Sequence, residues 1–178
     1  MHGQGSVKAP AEPLYTPEQR VRRDNSKWTL VQGVLAPIQF LVFLVSLALV
    51  ARYLLTGEGE QAAVISVVVK TLVLYTIMIT GAIWEKVVFG HYLFVEAFFW
   101  EDVFSMLVLT LHTAYLACIF FGYLSVKEQM LLALAAYAAY VINAIQFILK
   151  LRAARLQAAD QTQAVSMPHG GSFVEAAS

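Results

Sequence analysis

Four stretches of mainly apolar residues, at about 28–55, 62–84, 98–123 and 129–149, are separated by short polar or glycine-bearing breaks. As helices, each is long enough to cross a ~30 Å hydrocarbon layer, which takes about 20 residues. The pattern therefore predicts four transmembrane helices. In the first, Gln32, Gln39, Ser46 and Tyr53 recur every seven residues, a spacing that drifts only about 20° per step on an α-helix. One face is polar and is expected to pack on neighbouring helices, where Gln and Ser bond across the interface. Pro37 allows a kink beside Gln39. In the third stretch Glu101, Ser105 and His112 fall on one stripe, because eleven residues bring a helix round to within about 20° of its starting direction. In the fourth, Tyr137, Tyr140, Asn143 and Gln146 make the polar side.

Local signals set the boundaries. Thr16-Pro17-Glu18-Gln19 supplies a capping residue, a proline at the first helical position and a Gln that closes a capping box. A short helix is expected there, carrying Arg20, Arg22 and Arg23 and followed by Lys27. Thr56-Gly57-Glu58-Gly59-Glu60 breaks the first hairpin, and Ser125-Val126-Lys127-Glu128 is a second capping box. The resulting fold class is all-α, an integral membrane four-helix bundle with a short N-terminal cytoplasmic helix. Its expected parts are a disordered leader (1–13), a basic juxtamembrane helix (14–27), a single transmembrane domain (28–156) and a disordered tail (157–178), the ends being rich in Gly, Ala, Gln and Ser.

Composition narrows the class. With 59% hydrophobic and 13% charged residues the chain is too apolar for a soluble domain of 178 residues. Twelve basic residues balance twelve acidic ones, so no basic field suggests nucleic acid. The lone Cys118 allows no internal disulfide. The polar first 27 residues and the long first apolar run argue against a cleavable signal peptide. Lys8, Arg20, Arg22, Arg23, Lys27, Lys86, Lys150, Arg152 and Arg155 flank one side of the spans, against Arg52 and Lys127 on the other. By the positive-inside rule both termini and the central loop are cytoplasmic. Lys70, near the middle of the second span, costs about 2.5–3.5 kcal/mol on insertion scales and needs a partner inside the bundle or a path for its amine to the interface.

The chemistry concentrates in Gly81–Asp102, GAIWEKVVFGHYLFVEAFFWED, which holds a third of the Asp and Glu together with seven aromatic residues. Flat apolar surfaces and proton donors side by side suit a large planar hydrophobic ligand that undergoes acid–base chemistry. An aromatic belt with ordinary interfacial charges is the alternative. No phosphate-cradling glycine loop, HExxH, paired CxxC or nucleophile elbow is present. No cofactor and no metal of the protein's own are expected. Proton transfer by carboxylic acids remains, with Glu85, Glu101 and Asp102 as the candidates.

The runs WTLVQGVLAPIQFLVFLVSLALVARYLLTGEGE, VVVKTLVLYTIMITGAIWEKVVFGHYLF, AFFWEDVFSMLVLTLHTAYL and LLALAAYAAYVINAIQFILKLRAARL closely resemble the 3-vinyl bacteriochlorophyllide hydratase family of bacteriochlorophyll biosynthesis. The likeness covers about Leu14 to Leu156, and GAIWEKVVFG and FFWED are its most specific strings. It implies addition of water across the C3 vinyl group of chlorophyllide a or its bacteriochlorin counterpart, giving a 3-(1-hydroxyethyl) group. It also implies the cytoplasmic or intracytoplasmic membrane of a photosynthetic bacterium. With that substrate in view, Glu85 or Glu101 is the candidate acid, and Asp102 orients water or takes its proton. Lys86 pairs with a carboxylate, binds the pigment propionate, or snorkels to the interface. Trp84 and Trp100 are candidate stacking surfaces, and His91 or His112, or a water, can serve the pigment magnesium as axial ligand. Other pathway enzymes or a second copy of the chain are open as further partners. The same residues also suit a chlorin-binding or assembly protein without activity, or a small transporter subunit that uses Lys70 and the Gln32 stripe.

Overall fold

The computed structural model describes residues 13–166, so the ends of the expected leader and tail, residues 1–12 and 167–178, lie outside the described residues. The chain runs through helices α1 (Pro17–Asn25), α2 (Lys27–Thr56), α3 (Glu60–Phe89), a single 3₁₀ turn (Glu96–Phe98), α4 (Phe99–Phe121) and α5 (Val126–Ser166). No strand occurs among the described residues. Helix α2 packs chiefly on α3, and α4 on α5, as two hairpins facing each other.

The helix ends follow from the sequence. The Thr16 hydroxyl accepts from the Gln19 amide while the Gln19 side chain accepts from the Thr16 amide, closing the capping box of α1. Ser125 and Glu128 repeat the arrangement at α5. Helix α3 closes on Gly90, whose φ of 93° few residues with a side chain adopt. Two helices outrun their apolar patterns. Helix α3 continues through Glu85 and Lys86 to Phe89: Glu85 is turned inward, and Lys86 suits a helix C-terminus, where its Nζ donates to the Gly90 carbonyl at 2.6 Å. Helix α5 continues to Ser166, past Leu156 where the apolar pattern ends.

The exterior is apolar and the interior is partly polar. Leu41, Val45, Ile79 and Ile148 are 60–64% exposed, whereas Gln39, Ser46, Lys70, Thr71, Ser105 and His112 are at most 4% exposed. A water-soluble protein shows the reverse arrangement. The segments Lys27–Thr56, Glu60–Phe89, Glu96–Phe121 and Val126–Gln157 are long and apolar enough to cross a membrane. The chain is a multi-pass membrane protein.

The predicted polar stripe of α2 meets its neighbours. Gln32 donates to Thr80 at 2.8 Å, Ser46 bonds to Ser66 at 2.7 Å and to the Tyr137 hydroxyl, and Tyr53 packs into the core around Val50 and Tyr115. Helix α1 lies against α3 and α2, held by Tyr15, which stacks on Phe89 with ring centres 5.7 Å apart and has the Arg23 guanidinium 4.7 Å from its ring centre. Burial pushes the Tyr15 phenol above its ordinary range, partly opposed by Arg23.

Candidate active site

Where α3 ends and α4 begins, three acidic side chains turn into the bundle: Glu85 and Glu101 are 6% exposed and Asp102 is 3% exposed. The sequence brings them there because Glu85 sits one turn before the α3 cap, while Glu101 and Asp102 occupy the first turn of α4, where the helix dipole favours acidic groups. The carboxyls of Glu85 and Asp102 are close neighbours across the junction of the two helices. Two carboxyls this close can share a hydrogen bond only when one of them is protonated, since ionised carboxylates only accept.

The turn between the helices is folded over this pair. Phe94 N–H donates to Asp102 Oδ2 at 2.7 Å, and the Val95 amide reaches Glu85. Phe94 takes a left-handed backbone, φ 57°, the one such non-glycine among the described residues. That conformation costs a residue with a side chain of order 1 kcal/mol or more and persists only where surrounding contacts impose it. The Asp102 contact supplies that restraint.

Glu101 has a different partner. Lys150, from α5, donates to Glu101 Oε2 at 2.6 Å and stands 5.2 Å above the Phe98 ring. Phe98 is 1% exposed and packs against Trp84, Phe89, Phe147 and Tyr15. This aromatic block makes a hard floor under the charges. Beside it opens a cleft of about 720 Å³ lined by Leu14, Phe89, His91, Phe94, Val95 and Lys150, among others. Sites for compact ligands run to about 300–1,000 Å³. The Phe94–Val95 backbone is the partition between this cleft and the carboxyl pair.

The other residues singled out from the sequence are dispersed. His91 is exposed and lines the cleft. Trp84 is half-buried in the aromatic block, its Nε1–H donating to the Thr29 hydroxyl at 2.9 Å. Lys86 is exposed and stands 5.4 Å from the Tyr92 ring centre. Trp100 is 66% exposed, its ring meeting that of Phe99 edge-on. His112 is fully buried, on the stripe with Glu101 and Ser105, but eleven residues along α4 separate it from Glu101 by roughly 16 Å. Sequence reasoning missed Lys150, the Phe94 and Val95 amides, and Tyr15 as part of the cleft's support. In the sequence Lys150 is one of several flanking charges.

No group of three or more His, Cys, Asp or Glu suited to a metal ion occurs among the described residues. Fold and geometry define a class: a polytopic all-helical membrane protein with a cluster of buried carboxyl groups at one end of its bundle, beside an open cleft. Residues 15–153 match the model of the 2-vinyl bacteriochlorophyllide hydratase family. A protein of that name from Rhodobacter capsulatus is 67% identical over 148 residues, which is 83% of this chain and 86% of that protein. Another from Cereibacter sphaeroides is 66% identical over 151 residues, 85% of this chain and 94% of that protein. The chain belongs to the 2-vinyl bacteriochlorophyllide hydratase family. No solved structure matches it.

Proposed function

We propose that this chain hydrates the vinyl group of chlorophyllide a or bacteriochlorophyllide, at the cytosolic end of its bundle in the inner or intracytoplasmic membrane of a photosynthetic bacterium. The vinyl-bearing carbon counted as 2 in the relatives' names is the carbon counted as 3 in current tetrapyrrole numbering. The observation that carries the reading is the buried Glu85–Asp102 carboxyl pair behind the cleft.

Glu85 carries the proton and is the acid. It transfers that proton to the terminal vinyl carbon, leaving a cation on the inner carbon that the macrocycle spreads. At rest Asp102 is ionised and accepts from the Phe94 amide; once the turn releases that contact, Asp102 takes a proton from the water that attacks the inner carbon. Passing that proton to Glu85 restores the pair, so water is consumed and no electrons are exchanged. Preorganised charge beside a developing cation lowers the barrier further. Glu101, neutralised by Lys150, holds the charge balance next door. The pigment's flat face rests against the aromatic wall of the cleft, and Lys150, which lines it, meets the propionate. His91 at the cleft edge is the nearer of the two histidines to serve the magnesium. For chemistry to occur, the His91–Val95 turn gives up its two amide contacts to the carboxyls.

Membranes carrying the chain, incubated with either pigment, should yield a product heavier by one water. Glu85→Gln should lower turnover by about 10²–10⁴, the contribution of a positioned acid, and Glu101→Gln should lower it less. Pigment bound but unaltered by the native chain would make this a binding protein instead. Equal turnover by Glu85→Gln and native protein would remove Glu85 from the mechanism.

A further inference from the structure

A second polar feature runs from the carboxyl pair into the middle of the bundle, and apart from Glu85 the reaction assigned above does not use it. Among the described residues, eight buried side-chain atoms have no hydrogen-bond partner: Glu85 Oε2, Gln146 Oε1, Asn143 Oδ1, Gln39 Oε1 and Nε2, Lys70 Nζ, His112 Nε2 and the Tyr115 hydroxyl. They are not scattered. Cross-helix contacts place them in consecutive layers.

Asn143 donates to Ser105, one turn below Asp102, at 2.8 Å, and Gln146 lies one turn nearer Lys150 on the same side of α5. Gln39 is midway between Gln32, which meets Thr80, and Ser46, which meets Ser66 and Tyr137, so it stands near the Asn143 layer. Lys70 Nζ lies 4.0 Å over the Tyr140 ring, one turn further in. His112, with its ring centre 5.9 Å from that of Tyr137, comes next, and Tyr115 follows within electrostatic reach of Tyr137. One layer per turn is a spacing of about 5.4 Å. A water bonded to a group on each side spans about the same distance.

The chemistry of the groups selects the occupant. A His112 Nδ1–H donates to the Val108 carbonyl at 2.8 Å, so the neutral ring presents Nε2 as an acceptor. Lys70 offers only donors, Asn143 Oδ1 and Gln146 Oε1 only accept, and the Gln39 amide does both. An anion would satisfy Lys70 and be repelled by the acceptors, and a metal cation would face the Lys70 ammonium. Water alone donates and accepts at every layer. Leu74, Val108 and Ala139 form an apolar cluster beside the same layers.

We propose that these groups hold a single file of bound water from Tyr115 to Glu85, feeding the carboxyl pair from inside the protein while the pigment covers the cytosolic mouth. The feeding role rests on the hydratase reading; the water itself does not. Radiolytic footprinting, in which X-rays turn bound water into hydroxyl radicals, tests the file on the full chain in lipid nanodiscs without substrate. Tyr115, Tyr137 and His112 should be oxidised about as fast as the exposed Tyr92. Oxidation no faster than that of Phe40, which is 48% exposed on the lipid side, would overturn the proposal.

Kinetics test the feeding. Asn143→Leu and Gln39→Leu should each lower kcat about tenfold with KM for pigment unchanged, the effect of one lost hydrogen bond. Unchanged kcat in both variants overturns the feeding role. A native chain whose Tyr115 is labelled but which hydrates neither pigment removes the reaction itself, and the feeding role with it.

Discussion

Two carboxyl groups one residue apart, Glu101 and Asp102, are assigned different work by their neighbours. Asp102 meets Glu85 and a backbone amide, while Glu101 meets the Lys150 ammonium. Removing one member of a buried ion pair strands the other charge, a larger loss than replacing both. Lys150→Met should therefore destabilise the protein by about 2 kcal/mol, and adding Glu101→Gln should restore part of that, as thermal unfolding in detergent will report. The clustering of Glu85, Glu101 and Asp102 was legible in the sequence because all three lie within eighteen residues of one another. Lys150 was not legible as their partner, because 49 residues separate it from Glu101 and only the return of α5 brings it back. The exposure of Trp100 was equally hidden. An aromatic in a rich segment gives no sign of which side of the helix faces lipid until the packing order is known.

At the scale of elements, the hydropathy pattern located all four spans, and both capping boxes formed as the motifs predicted. The limits of the helices were less visible. A window of apolar residues ends at the first charges, but a helix ends where its backbone does, and α3 runs on to a glycine with a positive φ. The seven-residue stripe on α2 is a packing face, and its strongest link is the Ser46 contact that joins α2 to Tyr137 of α5. Bonds of this kind between membrane helices average about 0.6 kcal/mol and reach about 1.7 kcal/mol. A double-mutant cycle with Ser46→Ala and Tyr137→Phe, read by unfolding in mixed micelles, should return a coupling in that range. A value of zero would mean that the contact is replaced at no cost when either hydroxyl is removed.

For the whole molecule, the basic residues of α1, together with Lys86 and Lys150, gather at the end that holds the site, and Arg52 and Lys127 lie at the other. The charge bias predicts that this end faces the cytosol. An alkaline phosphatase fused after Leu156 should be inactive and one fused at Lys127 active; the reverse pattern would place the site on the far side of the membrane. The turn that roofs the carboxyl pair belongs to this end, and it is held in a strained backbone by Asp102. In the reaction proposed above, the group that draws a proton from water is also the catch that keeps the roof shut at rest. In the proposed reaction Asp102 is neutral just after it takes that proton, and a neutral carboxyl holds an amide less firmly, so the roof stays open for the finished alcohol to leave until the proton has passed to Glu85 and the Phe94 contact re-forms.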